Sequence, residues 1–380
     1  MTTGRQLVLA GLLLTAFPAA AADFNLRMEI VDPGTAGDVK MVGDIDGDGR
    51  PDLVVGGSRN DKLNWYRNPT WRKTVILAPM TEFTTDGALG DMDGDGDLDI
   101  VIFDGEGSKN LHWYENPRPN NNPMAGFRWR RHIVGGTGSW GKDVELGDFD
   151  RDGRLDIAVR NADALSVFFQ DADDQWTRRT LPARRLGSEG LASGDIDGDG
   201  AVDLVLDGAW LRNPGGGEAR DPRAWSEQEI GPAYGTFKAV VADFDGDGRP
   251  DVAYSSSEGT ADVAWYGQGA DGRWARHVVL AAVERGHTLQ AADMDGDGDI
   301  DLVIGQMHSS DAKKILLAEN QDGRGADWTI HVIGTGGLHN GVVADLSGDG
   351  RPDLFGANYT GTPPVRVWLN LPPDERQPQE

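Results

Sequence analysis

Residues 44–52 read Asp44-Ile-Asp-Gly-Asp-Gly-Arg-Pro-Asp52 and run directly into the apolar segment Leu53-Val-Val-Gly56. The same string, Asp-x-Asp-Gly-Asp-Gly-x-x-Asp followed by an aliphatic residue, recurs with small departures from Asp91, Asp148, Asp195, Asp243, Asp293 and Asp345. Successive copies start 47, 57, 47, 48, 50 and 52 residues apart. A period near 50 residues, filled with short apolar runs and no helix-spaced pattern, predicts an all-β, seven-bladed propeller with four-stranded blades.

One repeat can be parsed outward from its acidic string. Alternation over Asp38–Gly43 upstream and the run Asp52–Gly56 downstream makes the string the connection between strands A and B. Strand C carries an aromatic pair closed by Asn-Pro, as in Asn64-Trp-Tyr-Arg-Asn-Pro69 and His112-Trp-Tyr-Glu-Asn-Pro117. Strand D starts at Trp71, Trp129, Trp176, Trp225, Trp274 or Trp328, which supplies six D strands for seven blades. The missing strand is expected at the N-terminus, where Phe24–Ile30 has the D pattern while the last copy stops at its C strand, Val365–Leu369. Completion of the last blade by this strand would close the ring and remove free sheet edges. The Pro/Asn-rich insertion 117–126, which lengthens one interval to 57, reads as a C–D connection and not a domain boundary.

Aspartates at positions 1, 3, 5 and 9, with glycine at 4 and 6, suit a hard cation. Alternate residues of a tight loop turn their carboxylates inward, and Ca²⁺ takes six to eight oxygens at about 2.3–2.6 Å. The expected ligands are Asp44, Asp46, Asp48 and Asp52 in the first loop, and Asp91, Asp93, Asp95 and Asp99 in the second. Asp148, Asp150, Asp152 and Asp156 follow in the third loop, then Asp195, Asp197, Asp199 and Asp203 in the fourth. The fifth has Asp243, Asp245, Asp247 and Asp251, and the sixth Asp293, Asp295, Asp297 and Asp301. The seventh retains Asp345, Asp349 and Asp353 but has Ser347 at position 3, so it should bind more weakly; Arg151 replaces a loop glycine in the third. Up to seven structural Ca²⁺ ions are expected. Solvated Asp/Gly turns are the competing reading, but four carboxylates within nine residues repel one another without a cation. An EF-hand needs a Glu at position 12 between helices, whereas here a strand begins at position 10.

Composition narrows the function. Of 380 residues, 62 are acidic and 36 basic, a formal net charge of −26 that would repel a phosphate backbone, so nucleic acid is not an expected partner. The absence of cysteine excludes disulfides, thiol catalysis and thiolate metal sites. Residues 1–22 read as a cleaved leader: Arg5, the apolar run Leu7–Phe17, then Ala19–Ala22 with cleavage after Ala22. An 11-residue run is too short to cross about 30 Å of hydrocarbon, and no longer one follows. With no cysteine for a lipid anchor, a secreted or periplasmic, monomeric protein is expected, with one propeller over 23–371 and a polar tail over 372–380.

The seven acidic strings with their flanking strands resemble the VCBS/FG-GAP-like repeats of secreted bacterial proteins, related to the propeller of integrin α-subunits. The resemblance covers nearly all of the chain beyond residue 22. It implies a calcium-binding propeller, in a family that includes adhesins, glycan-binding modules and catalytic members.

With the acidic A–B loops at one end, the D–A and B–C connections share the other, where strand A begins beside the central channel. Six residues before each string stand Asp38, Thr85, Lys142, Glu189, Phe237, His287 and His339; Lys238 follows Phe237. The B–C connections add Arg59, Arg160, His308 and Tyr359. Equivalent positions that share no residue type are candidates for ligand binding and not for fold. His132, His277 and His331, each three residues after a strand D Trp, and His112 in a strand C, read as structural. So do eleven of the 12 tryptophans, leaving Trp140 as a platform for a flat ligand or as packing under a loop.

Three functions follow. The first is recognition of an extracellular glycan at this face, with Trp140, Lys238, Arg160, His339 and Glu189 as ligand-binding residues. The second, implied by resemblance to secreted propellers that act on uronate-containing glycans, is a polysaccharide lyase or a glycosidase. For the lyase, His287 and His308 would serve as base and acid, Tyr359 as alternative acid, and Arg59 or Lys142 as a carboxylate partner. The third is adhesion to a protein partner. Clustered histidines can also hold an ion such as Zn²⁺.

Overall fold

A computed structural model describes residues 24–372 apart from 35–36, 58–61, 77–82, 105–108, 173 and 360–362. The expected leader and most of the polar tail lie outside the described residues. Seven four-stranded antiparallel sheets make up the fold. Blade one is formed by strands A (Val39–Gly43), B (Asp52–Gly57), C (Lys62–Arg67) and D (Arg72–Ile76). In blade seven, A (His339–Ala344), B (Asp353–Ala357) and C (Val365–Asn370) are completed by Leu26–Asp32, with Met28 opposite Trp368. The N-terminal strand therefore closes the ring as expected.

Little of the chain is helical. The described residues include three short 3₁₀ turns, Gly126–Arg128, Gly216–Arg220 and Pro222–Ala224, all within C–D connections. The 117–126 insertion leans on blade one, where Thr74 Oγ1 lies 3.3 Å from Met124 Sδ. No helix among the described residues is long and apolar enough to cross a membrane.

The core is divided among blade junctions. Strand C of blade two (Asn110–Glu115) presents Tyr114 towards blade one, where it joins Val54, Leu63 and Trp65. Equivalent clusters fill the remaining six junctions. The second residue of every acidic string enters one of them: Ile45, Met92, Phe149, Ile196, Phe244, Met294 and Leu346 are each at most 3% exposed. Burying such a side chain contributes roughly 1.5–3 kcal/mol. Each string thus combines a polar loop with an apolar plug into the next blade.

The structural tryptophans and histidines fall where the repeat places them. Trp65, Trp113, Trp210, Trp265 and Trp368 are buried, and His132 and His277 stack on Trp113 and Trp265 at 4.0 and 4.1 Å. His112 is buried in its strand C, and His331 Nε2 lies 2.6 Å from Glu319 Oε2.

Candidate functional site

The two ends of the propeller carry different chemistry. At the A–B end, the first carboxylate of each string caps its own loop: Asp44 Oδ1 accepts from the Gly47 N–H at 2.7 Å and Oδ2 from the Gly49 N–H at 2.8 Å. Gly47 and Gly49 take φ of +72° and +86°, and Arg151, the departure in the third loop, takes the same left-handed conformation at +56°. The ninth carboxylate turns inward. Asp52 Oδ2 accepts from the Ile45 N–H at 3.2 Å and Oδ1 from the Asn68 N–H at 2.7 Å, and burial pushes its pKa up to about 6. The same burial pushes Asp99 up to about 8 and Asp156, Asp203, Asp251 and Asp301 up to about 7.

Carboxylate oxygens converge within 4.8 Å of one another at Asp44/Asp46/Asp48, Asp91/Asp93/Asp99, Asp148/Asp150/Asp156 and Asp195/Asp197/Asp199. Oδ1 of Asp46, Asp150 and Asp195 is buried without a hydrogen-bond partner. Arginines offset part of the charge. Arg67 pairs with Asp46 and Asp48, and Arg212 with Asp197 and Asp199.

At the other end, innermost strands begin around the channel and several begin irregularly. Register shifts interrupt strand A between Phe83 and Gly87, Gly141 and Asp143, Gly286 and Thr288, and His339 and Val342. Such bulges re-aim side chains at a sheet's rim. In the last of them Asn340 adopts φ +48°, a conformation asparagine tolerates, and its Oδ1 lies 3.1 Å from His287 Nδ1.

Four sequence candidates form a ladder of rings. His287 stacks on His339 at 3.9 Å, His339 packs on Tyr359 at 4.6 Å, and Tyr359 meets His308 edge-on at 5.1 Å. The inner pair, His287 and His339, is 2% and 3% exposed, whereas His308 and Tyr359 are half-buried. Burial, reinforced by His287, Lys40 and Lys238, holds the His339 pKa well below its usual value, so this ring stays neutral.

Beside the ladder lies a cavity of about 180 Å³ lined by Lys40, Asp86, Asp143, Glu145, Lys238 and His287, among others. Burial lowers the Lys40 pKa to about 7 and raises Asp86 to about 7 and Glu145 to about 8. Burial also opposes the charge on Lys238, but Asp143, Glu189 and Asp86 outweigh it and raise its pKa. Glu189 is carried on a segment pinned to blade five by the Phe237 N–H, which donates to its carbonyl at 3.1 Å. Burial works against its ionisation, but His287, Lys238 and Lys142 prevail and hold its carboxyl well below the usual range. Lys142 Nζ lies 3.3 Å from Glu189 Oε2, and Lys238 Nζ is 3.6 Å from Asp143 Oδ1.

The structure therefore brings His287, His308, His339, Tyr359, Lys142, Lys238 and Glu189 into one region. Arg160 corrects the expectation of a ligand-facing guanidinium. It is wholly enclosed and donates to the carbonyls of Gly187 at 2.9 Å, Gly190 at 3.2 Å and Asn161 at 3.3 Å. Trp140 stands at the rim before blade three, 38% exposed. Arg59 lies outside the described residues. Sequence reasoning missed Glu258, whose Oε1 is 3.8 Å from His287 Nε2; the signal was its place in the B–C connection of blade five.

Comparison with known proteins agrees with the repeat. Among curated proteins the chain is 26% identical over 226 residues to aldos-2-ulose dehydratase of Phanerodontia chrysosporium, a match covering 50% of the chain and 25% of that enzyme. The chain thus spans about a quarter of the length of the curated relative it matches. Among solved structures, an Agrocybe aegerita lectin that recognises non-reducing terminal N-acetylglucosamine is 20% identical, with a TM-score of 0.53 over 80% of this chain and 81% of the lectin. Rhamnogalacturonan lyase YesW is 12% identical, with a TM-score of 0.50 over 88% of this chain and 72% of the lyase. These two likenesses are of fold. The family model described as FG-GAP-like repeat matches residues 44–102, 91–159, 148–206, 243–304 and 293–356. With the larger part of its length matched and every blade built around the acidic string, the chain belongs to the FG-GAP-like repeat family.

Proposed function

We propose that the protein is an exported, calcium-clamped propeller that binds a carbohydrate at the channel mouth opposite its acidic loops. The observation that carries this reading is the ring ladder His287–His339–Tyr359–His308, whose outer members His308 and Tyr359 open towards solvent and whose inner end, His287, lines a charged cavity. Rings offer flat faces to sugar C–H groups, while neighbouring carboxylates and ammonium groups can bond hydroxyls. The matched dehydratase, named for acting on a sugar derivative, supports the same ligand class.

The acidic loops fit Ca²⁺. Convergent carboxylates, partnerless buried oxygens at Asp46, Asp150 and Asp195, and burial-raised ninth-position carboxyls are the features an unneutralised oxygen site should have. Positions 1, 3 and 5 would hold the ion with position 9, which also fastens the loop to strand C. The ion would supply charge neutralisation at the rim and no chemistry.

A second reading, elimination from a uronate-containing glycan, is favoured by the contact between His308 and Tyr359, two half-buried proton carriers. A lyase needs a base for the proton α to the carboxylate, a cation for the developing charge and an acid for the leaving oxygen. His308 and Tyr359 can fill the first and last roles. Lys142 and Lys238 are already paired with Glu189 and Asp143, which leaves the cationic role weakly supplied and places binding first.

The test is to titrate the calcium-loaded protein against a panel of neutral and uronate-containing glycans by calorimetry while following the ultraviolet absorbance of unsaturated uronate. Binding without absorbance supports recognition alone. Absorbance lost in Tyr359→Phe would establish elimination, and silence in both channels across the panel would overturn both readings for those glycans.

A further inference from the structure

We propose that His287, Glu189 and Glu258 form a site for one divalent cation of the zinc class at the channel mouth, separate from the acidic loops. The three side chains come from blades six, four and five, so the site exists only in the closed ring. His287 Nε2 lies 2.9 Å from Glu189 Oε1 and 3.8 Å from Glu258 Oε1, and one ligand atom from each residue falls within 4.8 Å of the others. Two ligands each 2.0–2.1 Å from a tetrahedral ion stand about 3.3 Å apart. The separations of 2.9 and 3.8 Å straddle that value.

The contact behind the His287 ring points the same way. His287 Nδ1 faces Asn340 Oδ1 at 3.1 Å, and the Asn340 amide nitrogen faces the Asp38 carbonyl at 3.5 Å, which orients the amide oxygen towards the ring. Nδ1 therefore carries hydrogen and donates it. Nε2 is then the ring atom that faces the two carboxylates, placed to ligate an ion set between them. Apart from this 2.9 Å contact with His287, Glu189 Oε1 is enclosed and has no hydrogen-bond partner. A metal ion set between the three atoms would engage that enclosed oxygen.

The surroundings prepare each ligand. Stacking on His339 at 3.9 Å fixes the imidazole plane, and Lys142 occupies Glu189 Oε2 at 3.3 Å, leaving Oε1 for the ion. Lys238 is 4.0 Å from Glu189 Oε1 but nearer to Asp143, at 3.6 Å. Asp86, Asp143 and Glu145 line the adjoining cavity and offset its lysines. A donor set of one imidazole and two carboxylates is too small and too nitrogenous for Ca²⁺ and suits Zn²⁺ or a neighbouring transition ion. Three protein ligands leave a fourth position for water or another oxygen donor, and Glu258, with 46% of its side chain exposed, stands where solvent reaches it.

The experiment is Zn²⁺ binding to the full chain in saturating Ca²⁺, by calorimetry and metal analysis after dialysis, with Co²⁺ absorption as a report of tetrahedral ligation. One Zn²⁺ per chain is expected beyond the calcium content. Glu258→Gln, a change at an exposed side chain, should weaken it at least tenfold with no change in melting temperature, and His287→Asn should abolish it. The proposal is overturned by a calcium-saturated wild-type protein that takes up no Zn²⁺, or by a Glu258→Gln protein that binds it as wild type does.

Discussion

Asn116 donates from Nδ2 to the carbonyl of Ile45 at 2.8 Å, across the junction between blades two and one. Its backbone N–H donates to Asp99 Oδ1 at 2.7 Å, so one residue fastens its own acidic loop and the loop of the preceding blade. The relation recurs as Asn68 to Leu346, Gln170 to Met92, Asn213 to Phe149, Asn320 to Phe244 and Asn370 to Met294. Blades four and five are joined instead by the Ser188 and Phe237 N–H groups, which donate to the carbonyls of Gly235 and Glu189. The Asn that closes strand C is thus an inter-blade clamp.

Removal of the clamp should be costly. Asn116→Ala deletes the bonds to Ile45 and to Leu98 (3.1 Å) and leaves buried carbonyls without donors. The expected loss is about 2–4 kcal/mol in urea denaturation, against less than about 0.5 kcal/mol for exposed Asn121→Ala. Equal, small effects would show that the clamp carries no stability.

The seventh loop allows a gain-of-function test of the calcium proposal. Ser347 Oγ lies 3.4 Å from Asp345 Oδ1, in the place of a carboxylate. Ser347→Asp should lower the melting temperature in chelator, by added repulsion, and raise it in Ca²⁺ relative to wild type. The same sign of change in both conditions would mean that the loop holds no cation.

Glu145 predicts a pH dependence. Its pKa is raised to about 8 by burial, with Asp86 and Asp143 adding to the rise and the hydroxyl of Ser193, at 2.7 Å, and Lys238 opposing it. A folded value above the unfolded one of about 4.3 means that the folded state binds the proton more tightly. The associated stability is complete below about pH 4 and is lost as pH rises to about 8. Glu145→Gln should therefore match wild type near pH 4 and exceed it at pH 9 by on the order of 5 kcal/mol, read from urea midpoints at both pH values. An advantage that does not change with pH would place the ionisation of Glu145 outside this window.

Ring closure, strand order and the structural histidines were legible because each rests on a period or on its interruption. What remained hidden depends on relations across blade junctions. The apolar second residue of each string, from Ile45 to Leu346, repeats faithfully, but only the ring shows that it plugs the next blade. Arg160 misled for the opposite reason. Its non-repeating position suggested a ligand, yet the irregularity serves the D–A connection of blade four, where Gly187 and Gly190 take φ of +66° and +113° and their carbonyls are held by this arginine. The four residues of the ring ladder stand among the non-repeating positions of one face, but their stacking, like the approach of Glu258, depends on which blades bring their connections together.

Trp140 separates the two roles that its sequence position left open. It is 38% exposed at the rim before strand A of blade three (Gly141–Gly147), in a connection where Thr137 Oγ1 donates to the Ser139 carbonyl at 2.9 Å. That turn is set without the indole. Trp140→Ala should accordingly leave the melting temperature within a degree or two of wild type, as expected of a surface change of less than about 0.5 kcal/mol. If the indole is a sugar platform, the same variant should lose about 1–3 kcal/mol of carbohydrate binding, a rise in Kd of roughly five- to 150-fold. A lowered melting temperature with unchanged carbohydrate affinity would assign the covered part of the ring to packing and remove Trp140 from the site.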